Sequence, residues 1–252
     1  MDEHPALRIE GEMVTRFMDH VIREDRFRIH LNGELFIEQI ASRGHLAELG
    51  AGLVISEGLA DSVERVDVRG DDIYVEADVR RDRELEYRTC GGFGLKSPPK
   101  HVYSSLTATP AEIIRVTRAI ESDTWRKTGG VHCSVLYSQG EILARISDIG
   151  RHNTVDKVIG HAELNGIDRS LCCIGCTGRQ PAGMVAKDAN AGIPIVISRA
   201  ASTNLGILTA EETGITLICF SRNGRFTIYS NPQRILGIMK EDTGITGGGE
   251  QI

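Results

Sequence analysis

Residues 170–225 read SLCCIGCTGRQPAGMVAKDANAGIPIVISRAASTNLGILTAEETGITLICFSRNGR. Three short apolar runs, Ser170–Cys176, Ile193–Ile197 and Ile215–Phe220, alternate with two segments of helical character, Ala182–Ala191 and Ser202–Thr213. Short apolar strands separated by helices are what the middle of a sheet covered on both faces requires. The stretch therefore predicts an α/β unit with these three runs as its central strands.

The residues just beyond each run matter as much as the run itself. The first leads into Thr177-Gly178-Arg179, the second into Ser198-Arg199 with Ser202-Thr203 opening the next helix, and the third into Ser221-Arg222-Asn223-Gly224-Arg225. In open α/β sheets the carboxyl edge of the strands is where ligands bind. Arginine forks, small hydroxyls and helix amino termini together suit phosphate oxygens. An arginine that simply reaches water is the plainer reading of any single one. Three successive strand ends doing so in a chain of net charge −6 instead predict a local site for an anionic, nucleotide-like ligand. An acidic chain has no general attraction for nucleic acid or anionic membranes.

Working upstream, Val155, Val158, Ile159 and Ala162 give Thr154–Leu164 a helical core face. Asp148-Ile149-Gly150-Arg151-His152-Asn153 precedes it, with Asn153 a natural cap and with Arg151 and His152 where anions meet a helix start. A hairpin is expected from Val131–Tyr137 and Ile142–Ile146 around Gln139-Gly140. Ahead of it, Thr128-Gly129-Gly130-Val131-His132 offers close backbone approach and an imidazole. Thr109-Pro110 caps a helix carrying Ile113, Val116 and Ile120. Phe226–Tyr229 makes a last strand, and the tail with Gly247, Gly248 and Gly249 is expected to fray.

The first third reads as an antiparallel α+β unit. Phe27, Ile29 and Leu31 alternate up to Asn32-Gly33, a hairpin signal, and Leu35 and Ile37 continue beyond it. Leu46, Leu49 and Leu53 fall at helical spacing. Val66 and Val68, the turn Gly70-Asp71-Asp72, and Ile73, Val75, Ala77 and Val79 complete a second hairpin. Residues 80–101 then change character: Thr89-Cys90-Gly91-Gly92-Phe93-Gly94 and Lys96-Ser97-Pro98-Pro99-Lys100 predict a mobile connecting loop. Within it, Arg88, Lys96 and Lys100 flank Cys90, and positive neighbours favour the nucleophilic thiolate. An incidental loop cysteine is the competing reading.

The other cysteines, Cys133, Cys172, Cys173, Cys176 and Cys219, sit in or beside apolar strand patterns and read as core. The amino terminus has neither the basic start nor the apolar stretch of an export signal. Reduced thiols and a cytoplasmic location are expected, and no apolar run approaches the ~18 residues of a membrane span. His161-Ala162-Glu163 with Cys173-Ile174-Gly175-Cys176 is superficially like a zinc deaminase signature. The residue before the pair is Cys172 rather than proline, however, and the pair is strand-borne; no resident metal is expected.

Several strings together carry a resemblance. Glu57-Gly58-Leu59, Thr128-Gly129-Gly130-Val131-His132, Asp148 to Lys157, Thr177-Gly178-Arg179, Ile193 to Arg199, Gly214 to Phe226, Tyr229 and Asn231-Pro232-Gln233-Arg234 resemble the formate dehydrogenase accessory sulfurtransferase (FdhD) family over about residues 24–237. The resemblance implies a small N-terminal α+β part (1–87), a Cys-bearing loop (88–101) and a cytidine deaminase-like α/β/α domain (102–252) that binds cofactor. It implies a sulfur carrier, loaded as a persulfide on Cys90 by a cysteine desulfurase. The sulfur would pass to a molybdenum (or tungsten) bis(molybdopterin guanine dinucleotide) cofactor before its insertion into the formate dehydrogenase catalytic subunit. A homodimer is implied as well, with a guanine nucleotide as a mimic of the ligand. Phe220, Ser221, Arg222, Asn223, Gly224 and Arg225 match the family's cofactor loop; Arg179, Arg199, Thr128, Gly129, His132, Arg151 and His152 join them as candidate binding residues. One departure is plain: Phe93 stands where the family often has a second loop cysteine. Alternatives left open are a cofactor-binding chaperone without sulfur transfer and, further off, a zinc-dependent deaminase.

Overall fold

The computed structural model describes residues 1–79 and 99–238, together with the backbone of strands 85–88 and 92–95. The larger sheet has six strands: β9 (His132–Ser138), β10 (Glu141–Asp148), β11 (Cys173–Cys176), β12 (Ile195–Ser198), β13 (Thr216–Arg222) and β14 (Arg225–Ile228). Their order is β10-β9-β11-β12-β13-β14. β11, β12 and β13 run parallel at the centre, as their apolar sequences predict, and the other neighbours are antiparallel.

Period-two alternation sorts the side chains of these strands onto two faces. Leu136, Ile174, Val196, Leu217 and Cys219 meet α4 (Arg151–Leu164), α5 (Ala182–Asn190) and α6 (Asn204–Thr213). Val135, Cys173, Ile195, Ile197 and Ile218 meet α2 (Pro110–Ala119) through Ile113, Val116 and Ile120. Fully burying each large aliphatic side chain contributes about 1.5–3 kcal/mol. The start of α2 is fixed by a reciprocal cap, Thr109 with Glu112. Next comes a short α3 (Asp123–Thr128), which sequence patterning did not reveal and which ends on left-handed Gly129.

The smaller sheet contains β3 (Asp25–Leu31), β4 (Glu34–Ala41), β5 (Arg65–Arg69) and β6 (Asp72–Glu76) in the order β4-β3-β6-β5. It is mixed rather than antiparallel. α1 (Leu46–Ser56) carries the chain across so that β6 returns parallel to β3. Gly50 of α1 faces this sheet, where an added Cβ would come 2.5 Å from Ile73 Cγ2. On the opposite side Gly52 and Gly160 let α1 and α4 touch backbone to backbone: a Cβ would lie 1.7 Å from the Asp156 carbonyl oxygen or 1.9 Å from that of Glu48.

Two further hairpins differ from the sequence expectation. β1 (Asp2–Glu10) and β2 (Met13–Val21) pair in register along nine positions, leaving only Ala6 and Phe17 partly buried. β7 (Leu85–Arg88) and β8 (Gly92–Leu95) pair antiparallel within the stretch expected to be irregular. Glycine weakens a strand without forbidding backbone pairing. Cys90 and Lys96, like the glycine-rich tail, lie outside the described residues.

Candidate functional site

Topology brings the singled-out strings to one edge. The last residues of β11, β12 and β13 point the same way because the three strands are parallel. β9 is antiparallel to β11, so its first residue, His132, sits beside the end of β11, and Asp148 at the end of β10 pairs with His132. The starts of α4, α5 and α6 lie along the same edge.

A cleft of about 590 Å³ opens there, walled by Glu121, Trp125, Gly129, Gly130, His132, Thr177, Arg199 and Arg222, a size suited to a nucleotide-sized ligand. His132 Nδ1 is 2.9 Å from Thr177 Oγ1, which already accepts the Cys133 N–H at 3.1 Å. The Thr177 hydroxyl is thus shared between the Cys133 N–H and the imidazole, which fixes the ring at the cleft wall. Burial, then the Arg151 charge, holds the imidazole below its usual range and so neutral at pH 7.

Arg151 is the first residue of α4, and Gly178 is needed to let it pass: a Cβ at Gly178 would meet Arg151 Cβ at 2.9 Å. Its Nε is buried without a hydrogen-bond partner, an unusual state for a guanidinium and one an anion would relieve. Arg199 is not free to meet a ligand alone, since its Nη1 is 2.5 Å from Glu121 Oε1. Arg179 and Arg222 are exposed. His152 is half-buried in the first turn of α4, and Thr128 closes α3 with its hydroxyl donating to the Thr124 carbonyl.

The loop 220–225 divides in an unexpected way. Phe220 adopts φ +52°, breaking the register of β13 between Cys219 and Arg222, and its N–H donates to the Ala200 carbonyl. A left-handed aromatic residue is a strained choice of the kind found at functional sites. The break turns its ring to the face that carries α4, α5 and α6. Ser221 is buried instead, its hydroxyl 2.5 Å from that of Thr117 on α2, so it ties β13 to a helix rather than meeting a ligand. Asn223 (φ +53°) and Gly224 (φ +76°) form the two-residue turn to β14 that demands those residue types. Arg222 and Arg225 pair across it.

The string 148–157 likewise serves two ends. Asp148 accepts from Ser42 N–H, Gly150 N–H, Asn153 and Lys157, while Lys157 also donates to the Ser42 carbonyl. Gly150, not Asn153, caps α4; the Asn153 amide spans to the Ile40 carbonyl. Asp148, Asn153 and Lys157 are thus a buried clasp on β4, leaving Arg151 and His152 as the string's candidates for ligand contact. Cys173 and Cys176, three apart on β11, point to opposite faces of the sheet and cannot pinch one ion. Glu121 and Trp125 were not singled out from sequence, because neither belongs to a basic or glycine-rich string.

Known proteins share this chain's sequence and fold. The model of the FdhD/NarQ family matches residues 22–236. The chain is 34% identical to the sulfur carrier protein FdhD of Methanothermobacter thermautotrophicus, over 93% of this chain and 98% of that one. It is 31% identical to the sulfur carrier protein FdhD of Bacillus subtilis, over 90% and 95%. A crystal structure of a putative formate dehydrogenase accessory protein from Desulfotalea psychrophila superposes with a TM-score of 0.81 at 27% identity, covering 93% of this chain and 99% of that one.

Proposed function

The chain belongs to the FdhD/NarQ family, and from that premise we propose that it is a sulfur carrier in the maturation of formate dehydrogenase. Cys90 receives sulfur from the persulfide of a cysteine desulfurase. Its thiolate attacks the outer sulfur, the donor's S–S bond breaks, and the donor cysteine leaves as thiolate. The sulfur then passes to a molybdenum or tungsten bis(molybdopterin guanine dinucleotide) before that cofactor enters the dehydrogenase. The protein works in the cytoplasm as a homodimer.

The observation that carries the reading is the cleft at the carboxyl edge of the central strands. It gathers Arg222, the Glu121-paired Arg199 and the His132 imidazole, with the buried, unpartnered Nε of Arg151 beside His132. These groups suit the phosphates of a nucleotide-bearing cofactor. Sulfur transfer needs one carrier thiolate, so Phe93 does not remove the chemistry. It does supply the rival reading of a cofactor chaperone that carries no sulfur.

Intact-mass analysis after incubation with a cysteine desulfurase and cysteine separates the two. The proposal expects one added sulfur on the unaltered chain and none on Cys90→Ala, with GDP binding retained in both. No added sulfur on either, with GDP still bound, would leave the chaperone.

A further inference from the structure

The β1–β2 hairpin is the part of the molecule that its own packing explains least. Its strands pair along nine positions, yet only Ala6 and Phe17 are even partly buried. The root of this arm is seated beside α3, where Ile22 Cγ2 lies 3.1 Å from the position of a Cβ on Gly130. A lone two-stranded hairpin is marginal in water without a surface to lie on. The arm lies ahead of residues 22–236, the stretch matched to the family, so its role has to be read from its own surface.

Directly opposed residues share a face of the hairpin. One face carries Glu3 with His20, Pro5 with Met18, Leu7 with Arg16 and Ile9 with Val14. Its apolar members are open to solvent, Ile9 to 70% and Val14 to 60%. A hollow of about 470 Å³ sits at mid-arm, where residues 5–7 meet residues 16–18. A contiguous exposed apolar surface marks an interface. Residues 2–21 carry five carboxylates and two arginines, a balance that repels nucleic acid and anionic lipid. A protein surface is the fitting occupant.

The charges make this face complementary to itself. Let a second arm lie antiparallel across it, related by a two-fold axis at the Pro5–Met18 pair. Glu3 then falls opposite the level of the other arm's Arg16, and the reverse, so opposite charges meet twice. Such an isologous contact requires one patch only. Arm against arm is still too small: a face about 30 Å by 10 Å covers roughly 300 Å², short of the ~800 Å² per partner of a standard interface. Ile9 and Val14 supply the difference, because the same register carries the tip of each arm to the root of the other, beside Ile22, and so onto its body.

We propose that the β1–β2 hairpin is the clasp by which two copies of this chain hold each other. The arms lie face to face and antiparallel, with Glu3 against the partner's Arg16 and with Ile9 and Val14 on the partner's body. This rests on the homodimer proposed above and deepens it by naming the segment that builds it.

The test is sedimentation velocity of the full chain over a range of concentrations, with amide hydrogen exchange of residues 1–21 followed in the same samples. Exchange in the arm is fast in the monomer and slows in the dimer. Ile9→Lys with Val14→Lys, two positions exposed in the single chain, raises the dimer dissociation constant about 100-fold or more and leaves the monomer's melting temperature unchanged. Arg16→Glu weakens the dimer about tenfold by setting like charges opposite each other, and adding Glu3→Arg restores it. A dimer indifferent to the two lysines, with its arm still exchanging fast, would overturn the assignment while leaving a homodimer built on another surface. Failure of Glu3→Arg to rescue Arg16→Glu would overturn the antiparallel clasp. A chain monomeric at every concentration would remove both the homodimer and its clasp. Protection of the arm in that monomer by an added cysteine desulfurase would make the enzyme the occupant instead. Sulfur loading on Cys90, read by mass, is independent of all these outcomes.

Discussion

Asp148 and Lys157 are wholly buried, 2.6 Å apart, and every polar atom of the pair has a partner. Such a pair adds little net stability, yet breaking it leaves a buried charge alone. Lys157→Met is therefore expected to lower unfolding stability by about 3–5 kcal/mol, measured by denaturant titration. Asp188 is a contrasting case: it is fully buried and neither carboxylate oxygen has a hydrogen-bond partner. Burial, offset by Lys187 and reinforced by Asp156, pushes its carboxyl well above the ordinary range. In the folded chain it keeps a proton that the unfolded chain releases above about pH 4. Stability should thus fall as pH rises from there through the folded value, and Asp188→Asn should flatten part of that slope. Melting temperatures across pH 4–8 test this; an unchanged slope in the variant would assign the titration to other groups.

At the scale of elements, the crossing of α1 on α4 depends on the absence of two side chains. A Cβ on Gly52 or Gly160 would occupy backbone atoms of the opposite helix, so helix propensity, which favours alanine, is overruled. Gly52→Ala and Gly160→Ala are each expected to destabilise by more than ~1 kcal/mol, against the usual direction for a helical Gly→Ala change. Thr109→Ala, which removes the cap and half of the reciprocal box on α2, should cost about 1 kcal/mol. Chemical denaturation of the three variants compares the effects directly. A neutral Gly160→Ala would mean that the helices can separate cheaply.

For the whole molecule, the two sheets share α1 and a set of polar ties, most of them buried or partly buried. Lys157 reaches the Ser42 carbonyl, Asn153 that of Ile40, Asn190 that of Ser56 and Arg169 that of Asp61. Lys187 lies 2.7 Å from both Asp156 and Glu57. Coupling of this kind predicts one cooperative unfolding transition. Trp125 fluorescence, reporting on the larger sheet's surroundings, and far-UV circular dichroism should give coincident curves. An early transition seen by dichroism alone would show the smaller sheet melting independently. Among the described residues no helix is long and apolar enough to cross a membrane.

The sequence by itself determined the central strands, because a strand buried on both faces must be apolar throughout, and 173–176, 195–198 and 216–222 are nearly so. It also determined the Asn32-Gly33 hairpin, the start of α2 at Thr109-Pro110 and the basic strand ends, since turns, caps and charge are local chemistry. Alternation could not disclose the β1–β2 hairpin, whose residues are exposed on both faces. Tertiary structure decided which members of a string turn inward: Ser221 to Thr117, Asp148 to Lys157, Arg199 to Glu121. It also decided that Glu121 and Trp125, from the end of one helix and the next, stand in the same cleft as His132 and Arg222. Those choices rest on contacts between residues as many as 104 positions apart. A string shows which groups are available, but strand order and helix crossing settle what each one touches.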